Sequence, residues 1–130
     1  MEILRQRAVS ASSAIFRFHE VVQITEVTAI VRDASIQRFE FSFEAVWKYA
    51  KEYLRVVEGV EVASPKAVIR ACRETGALTD VQTALALKMV DDRNLTAHTY
   101  NEEVAVKIFA GLSAYCELMR VWMENIAKKS

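Results

Sequence analysis

The sequence is poor in chain breakers: its 130 residues include three glycines and one proline. A sandwich or barrel needs many tight turns, so this scarcity excludes most all-β layouts and leaves few connections between long helices. Net charge is missing too. Seventeen Lys and Arg balance seventeen Asp and Glu. That excludes a broad basic face for duplex nucleic acid or an anionic membrane, but leaves room for a local basic pocket, above all one completed by a second subunit. No apolar run approaches the roughly 20 residues of a membrane span. No basic start followed by an apolar segment marks a signal peptide. A soluble, cytoplasmic protein with no membrane partner is expected. Only two cysteines occur, Cys72 and Cys116, both inside helical patterns. They read as buried reduced thiols, since a disulfide framework or a zinc site would need more ligands at tighter spacing. No metal or cofactor is expected.

What is present is apolar helix. The length fits one domain over residues 1–130, and an apolar fraction of 52% is enough for one continuous core. Leu4, Ala8, Ala11, Ile15, Phe18 and Val22 recur at spacings of four and three, predicting a first helix from residue 2 to about 25. The stretch Val21–Val31 is rich in β-branched residues, but a lone strand would lack a partner, so it reads as a helix end and a connector. His19, beside this stripe, has no ligand-spaced neighbour and reads as an ordinary surface or half-buried histidine.

A second helix is predicted from about Asp33 to Glu58, with Phe39, Phe43, Val46, Trp47, Ala50, Tyr53, Leu54 and Val57 inward. Glu44 and Lys48, and Lys48 and Glu52, are spaced for ion pairs, and Gly59 is a stop signal. Ser64-Pro65 opens a short third helix over 65–75 that turns Val68, Ile69 and Cys72 inward and ends at Gly76. Thr79-Asp80-Val81-Gln82 is a capping box for a fourth helix, with Val81, Ala84, Leu85 and Met89 as its stripe. Asn101 caps a fifth, with Glu102 and Glu103 in its first turn and a stripe from Val104 through Ile108, Leu112, Tyr115, Met119 and Trp122 to Ile126. The fold class is all-α: an antiparallel up-and-down helical bundle of four to five helices, with Trp47 and Trp122 helping to fill its core.

Between the fourth and fifth helices lies the densest polar chemistry of the chain, Asp91-Asp92-Arg93-Asn94-Leu95-Thr96-Ala97-His98-Thr99-Tyr100. Arg93 and His98 are five apart and would diverge by roughly 140° on a continuous helix. They converge only if the helix ends between them or if a second chain supplies the partner group. Arg is a permanently charged, planar donor for phosphate, and His exchanges protons near neutral pH. Together they suit cleavage of RNA without a metal: His98 moves the proton of the 2′-hydroxyl or of the leaving oxygen, and Arg93 holds the charge on phosphorus. Asn94 would orient the His or the phosphate, and Tyr100 offers a hydroxyl to donate or to be modified. The same residues would also serve at a helix end by capping carbonyls and pairing with Asp91 or Asp92.

The run Ile36-Gln37-Arg38-Phe39-Glu40-Phe41-Ser42-Phe43-Glu44, then Trp47-Lys48, Ser64-Pro65 and Asp92–Tyr100, resembles in order and spacing the HEPN superfamily. Within it, the nucleotidyltransferase substrate-binding proteins, which include HepT-type toxins, are the branch most like this chain. The resemblance runs from about Asp33 to the end. It implies an all-α bundle that pairs as a homodimer, with Arg93 and His98 of two chains forming one composite ribonuclease site and Asn94 in the polar position after the Arg. It implies a small nucleotidyltransferase as partner, which in toxin–antitoxin pairs silences the toxin by adding AMP to a tyrosine, here Tyr100. A non-catalytic subunit that presents substrate to the nucleotidyltransferase is the other role the resemblance allows.

Overall fold

A computed structural model describes residues 1–130. Six α-helices follow one another: α1 (Glu2–Val22), α2 (Ala29–Tyr53), α3 (Pro65–Glu74), α4 (Asp80–Leu95), α5 (Glu102–Ala110) and α6 (Leu112–Lys129). A π turn, Leu54–Glu58, extends α2, and a 3-10 turn, Thr96–His98, follows α4. There is no strand, and no helix is long and apolar enough to cross a membrane.

The long pair α1 and α2 forms the frame, and α6 packs against both and against α4. The two frame helices come close because small residues face each other; the Ser42 hydroxyl donates to the Ala14 carbonyl of α1 at 3.1 Å. The core centres on Phe39, whose ring lies 6.0 Å from Phe18, 6.3 Å from Phe43 and 5.6 Å from Tyr115, the last stacked. Such ring pairs add to the gain from area burial alone. Trp122 is fully buried. Its indole N–H is buried with no hydrogen-bond partner. Both cysteines are buried free thiols, and burial pushes Cys72 up to about 12 and Cys116 up to about 11, so neither is a nucleophile near neutral pH.

The local start signals form as expected. Ser64 accepts from the Ala67 amide, and Thr79 and Gln82 exchange both bonds of a capping box at 3.1 and 2.9 Å. Asn101 accepts from the Glu103 amide at 3.0 Å. Gly59 and Gly76 take the left-handed conformation, φ 68° and 84°, that ends the preceding helical segments.

Several expectations need correction. The bundle has six helices rather than four to five, because the stripe expected from Val104 to Ile126 is interrupted at Gly111. A Cβ at Gly111 would sit 3.1 Å from the Tyr115 ring, so the break lets that ring lie over bare backbone. Helix α1 stops at Val22, and α2 begins at Ala29 rather than Asp33, capped by Thr28, which accepts from the Val31 amide at 3.2 Å. Val81 is 82% exposed; the inward face of α4 is Thr83, Ala86, Met89 and Val90. Two residues turn a helix by about 200°, so a stripe begun at Val81 rather than Thr83 opens on the opposite face. Trp47 is half-buried rather than core. Glu44 pairs with Lys48 at 3.9 Å, but Glu52 pairs with Arg55 instead of Lys48.

One buried polar contact joins α4 to α6: the Tyr115 hydroxyl donates to the carboxylate of Asp92, which is 6% exposed. Burial, then the adjoining Asp92 carboxylate, raises the Tyr115 phenol above its ordinary range, so the proton stays on the tyrosine. Tyr115→Phe keeps the ring on Phe39 but strands the carboxylate. We expect a loss of about 1–3 kcal/mol, read as a lower urea midpoint at unchanged m-value. An unchanged midpoint would show that Asp92 finds another donor.

Candidate functional site

The polar run opens while α4 is still helical. Asp91 faces outward and pairs with Lys66 of α3 at 2.8 Å, and Asp92 turns inward to Tyr115. Arg93 follows on a half-buried face, and Asn94 is exposed with no side-chain partner. Helix α4 then ends at Leu95, and Thr96–His98 tighten into the 3-10 turn. The helix therefore stops between Arg93 and His98, one of the two conditions under which the pair can leave the divergence of a continuous helix.

Thr96 is the hub of the turn. Its hydroxyl oxygen accepts from Arg93 Nη1 at 2.7 Å. Its single proton has two acceptors in range, the Arg93 carbonyl at 2.7 Å and Glu40 Oε2 at 3.1 Å. Arg93 Nη1 also lies 3.3 Å from Glu40 Oε2, and Nη2 lies 3.9 Å from Glu44 Oε1. Its Nε is buried with no partner. Glu40 and Glu44 are four apart on α2, so they share a face and meet the guanidinium together. The sequence places neither glutamate at this site, and Glu44 is expected there only as a partner of Lys48. Their spacing on one face was the available signal, but nothing local shows that the end of α4 packs against it.

His98 and Tyr100 lie on the solvent side. The Tyr100 hydroxyl is 3.2 Å from His98 Nδ1, with the rings edge-on at 76° and centroids 5.8 Å apart. Tyr100 is 84% exposed. Thr99 Oγ1 donates to the Thr96 carbonyl at 3.2 Å and closes the turn before Asn101 starts α5. Within one chain no hydrogen bond joins Arg93 to His98 or Asn94 to either. The structure thus divides the predicted residues into an anchored set, Arg93 with Thr96 and the two glutamates, and an exposed set, His98 with Tyr100. Of the two plain roles open to these residues, ion pairing does occur, but with Glu40, Glu44 and Lys66 rather than between Arg93 and its own Asp91 or Asp92.

Known proteins share the fold that carries these residues. Residues 6–128 match the model of the family described as nucleotidyltransferase substrate binding protein like. The chain is 28% identical over 110 residues to a probable ribonuclease HepT of Haemophilus influenzae, covering 78% of this chain and 74% of that one. Among solved structures it is similar to a protein from Thermus thermophilus, at 48% identity and a TM-score of 0.87 over 89% of this chain and 98% of the other. It shares its fold with the tri-AMPylated HEPN toxin of Shewanella oneidensis, solved in complex with an MNT antitoxin, at 17% identity and a TM-score of 0.76 over 98% of each chain. A bundle of this shape, matched by the family's model across nearly its whole length, places the chain in the nucleotidyltransferase substrate-binding protein-like family, with a HEPN-toxin fold.

Proposed function

We propose that the chain is the endoribonuclease toxin subunit of a pair with a small nucleotidyltransferase, and that Arg93 and His98 of two protomers form one site that cleaves RNA without a metal. The observation that carries this reading is the His98–Tyr100 contact of 3.2 Å on an exposed turn that also follows directly from Arg93. It sets an imidazole and a modifiable hydroxyl side by side at the surface, where a substrate and a modifying partner both have access.

The chemistry asks little of the protein beyond position. The 2′-oxygen of a ribose forms a bond to the neighbouring phosphorus as the bond to the 5′-oxygen breaks, leaving a 2′,3′-cyclic phosphate and a 5′-hydroxyl. One His98 takes the 2′-proton, and the His98 of the second protomer gives a proton to the leaving oxygen. Arg93 holds the charge that builds on the phosphoryl oxygens. Asn94, exposed beside it, contacts the phosphate or the imidazole of the other protomer. Tyr100 is the off switch. Its oxygen attacks the α-phosphorus of ATP on the nucleotidyltransferase, pyrophosphate leaves, and the resulting AMP ester puts a negative charge and a bulky group against His98. That group stands between the imidazole and a substrate 2′-hydroxyl and blocks their contact.

A second reading is favoured by one observation: Arg93 is already met by two carboxylates within its own chain. A guanidinium compensated this way fits a non-catalytic subunit that presents substrate to the nucleotidyltransferase. Wild-type protein that leaves RNA intact while still forming the complex with its partner would establish that role.

Two results test the main reading. Expressed alone, the wild type should arrest growth and fragment RNA, and His98→Ala should cut less than about a hundredth as fast, the scale of a lost acid–base group. Equal behaviour of the two proteins would remove the nuclease. Incubated with ATP and the partner, the intact mass should rise by whole AMP units, and Tyr100→Phe should stay unmodified. A rise that persists in Tyr100→Phe would put the acceptor elsewhere.

A further inference from the structure

A second feature opens off the same face of α2. Beyond Glu44, a cleft of about 520 Å³ is bounded by α2, the start of α1 and the segment Val60–Ala63 that leaves the π turn. Four cations, Arg7, Lys48, Lys51 and Arg55, line it against two carboxylates, Glu52 and Glu61. That leaves it two positive in a chain whose formal net charge is zero. Glu52 is taken up by Arg55 at 2.5 Å, and Lys48 by Glu44 at 3.9 Å, while Arg7 and Lys51 are exposed and form no ion pair with a side chain of the cleft. Trp47 supplies an aromatic wall, with Val60 and Val62 beside it.

The ring of Trp47 is held. Its indole N–H donates to Glu44 Oε2 at 3.3 Å, and the other oxygen of that carboxylate is the one facing Arg93. One glutamate therefore ties the wall of the cleft to the Arg93 cluster. Glu40, Glu44, Lys48, Lys51 and Arg55 follow at steps of four, four, three and four, a single stripe along α2 and its π turn. From Glu44 to Lys51 the helix rises about 10 Å, about three nucleotides at the roughly 3.4 Å spacing of a stacked strand. π turns recur at functional sites, and here the wider turn carries Arg55 to the rim.

We infer that this cleft is a docking subsite for single-stranded RNA, in which a base flanking the cleaved bond stacks on Trp47 while Arg7 and Lys51 hold the adjoining phosphates. This rests on the ribonuclease reading for its substrate class, but not on cleavage itself. A planar hydrophobic face beside unpaired cations is the pairing by which strands are bound without sequence preference, each base offering a π-face and each nucleotide a phosphate. An acidic peptide would use the cations and leave the ring idle. The site also explains how a protein of zero net charge gains a hold on RNA: the positive potential is local and lies along the line that leads to Arg93.

Trp47 makes the test direct, because the other tryptophan, Trp122, is fully buried and out of reach of a stacking base. Full-length His98→Ala protein, which keeps the RNA whole, is titrated with decauridylate and with a mixed-sequence RNA decamer while tryptophan emission is followed. Wild-type protein is incubated with the same RNA in parallel to read cleavage. The expected result is saturable quenching, with Trp47→Phe abolishing the signal and weakening binding about tenfold by an independent anisotropy measurement. In the Arg7→Ala/Lys51→Ala variant, whose changes lie on exposed side chains, the slope of log affinity against log salt should fall by about 1.4 in magnitude. RNA that binds without altering Trp47 emission, an unchanged salt slope in the double variant, no binding, or equal competition by a glutamate decapeptide would each overturn the subsite. Quenching by RNA that the wild type leaves uncut would retain the subsite and remove the nuclease reading.

Discussion

The arrangement of the site depends on the Thr96 hydroxyl. It lies where α4 gives way to a 3-10 turn, accepting from the Arg93 guanidinium and facing both the Arg93 carbonyl and the Glu40 carboxylate. A threonine that bonds back to a carbonyl one turn earlier competes with the helix's own amides, so it suits a helix end better than a helix middle. Had α4 continued one more turn, His98 would have been carried round the helix away from Arg93. Instead the chain tightens, and the imidazole emerges on the exposed turn beside Tyr100.

That junction is supported from below. Asp92 turns toward α6, away from Arg93, and is held in the interior by Tyr115, whose ring is itself stacked on Phe39. Two neighbouring residues of α4 are thus anchored to two different helices, Asp92 to α6 and Arg93 to α2. Leaving the buried Asp92 unpartnered costs more than the bond itself contributes, which makes that contact good at fixing the orientation of a helix end even when its net gain is small. Gly111 belongs to the same design, since a Cβ there would sit 3.1 Å from the Tyr115 ring and press it to shift.

Electrostatically the molecule is balanced overall and uneven locally. Glu44 touches Lys48, Trp47 and Arg93, so one carboxylate joins the anchored arginine to the aromatic cleft along α2. The pair of glutamates neutralises Arg93 within a single chain. In a composite site, the second protomer's imidazole and a bound phosphate would compete for that guanidinium, and a half-exposed ion pair of modest strength is one that such competition can shift. The exposed Tyr100 and His98 need no such rearrangement.

From the sequence alone, the helix starts were legible where the signal is local. Ser64-Pro65, the Thr79–Gln82 box and Asn101 each act within four residues, so the amides they satisfy are known without the fold. The stripes of α1 and α6 were legible for the same reason, as was the polar run from Arg93 to Tyr100. Only the tertiary structure decided which face of α4 is buried, that Gly111 divides the last stripe, that Trp47 sits at a cleft rather than in the core, and that Glu40 and Glu44 meet Arg93. The buried face of α4 and the meeting of Arg93 with α2 depend on partners tens of residues away, from Asp92 and Tyr115 to Glu40 and Thr96. A periodic pattern shows that a face will be buried, but the element that covers it is chosen by packing the whole chain.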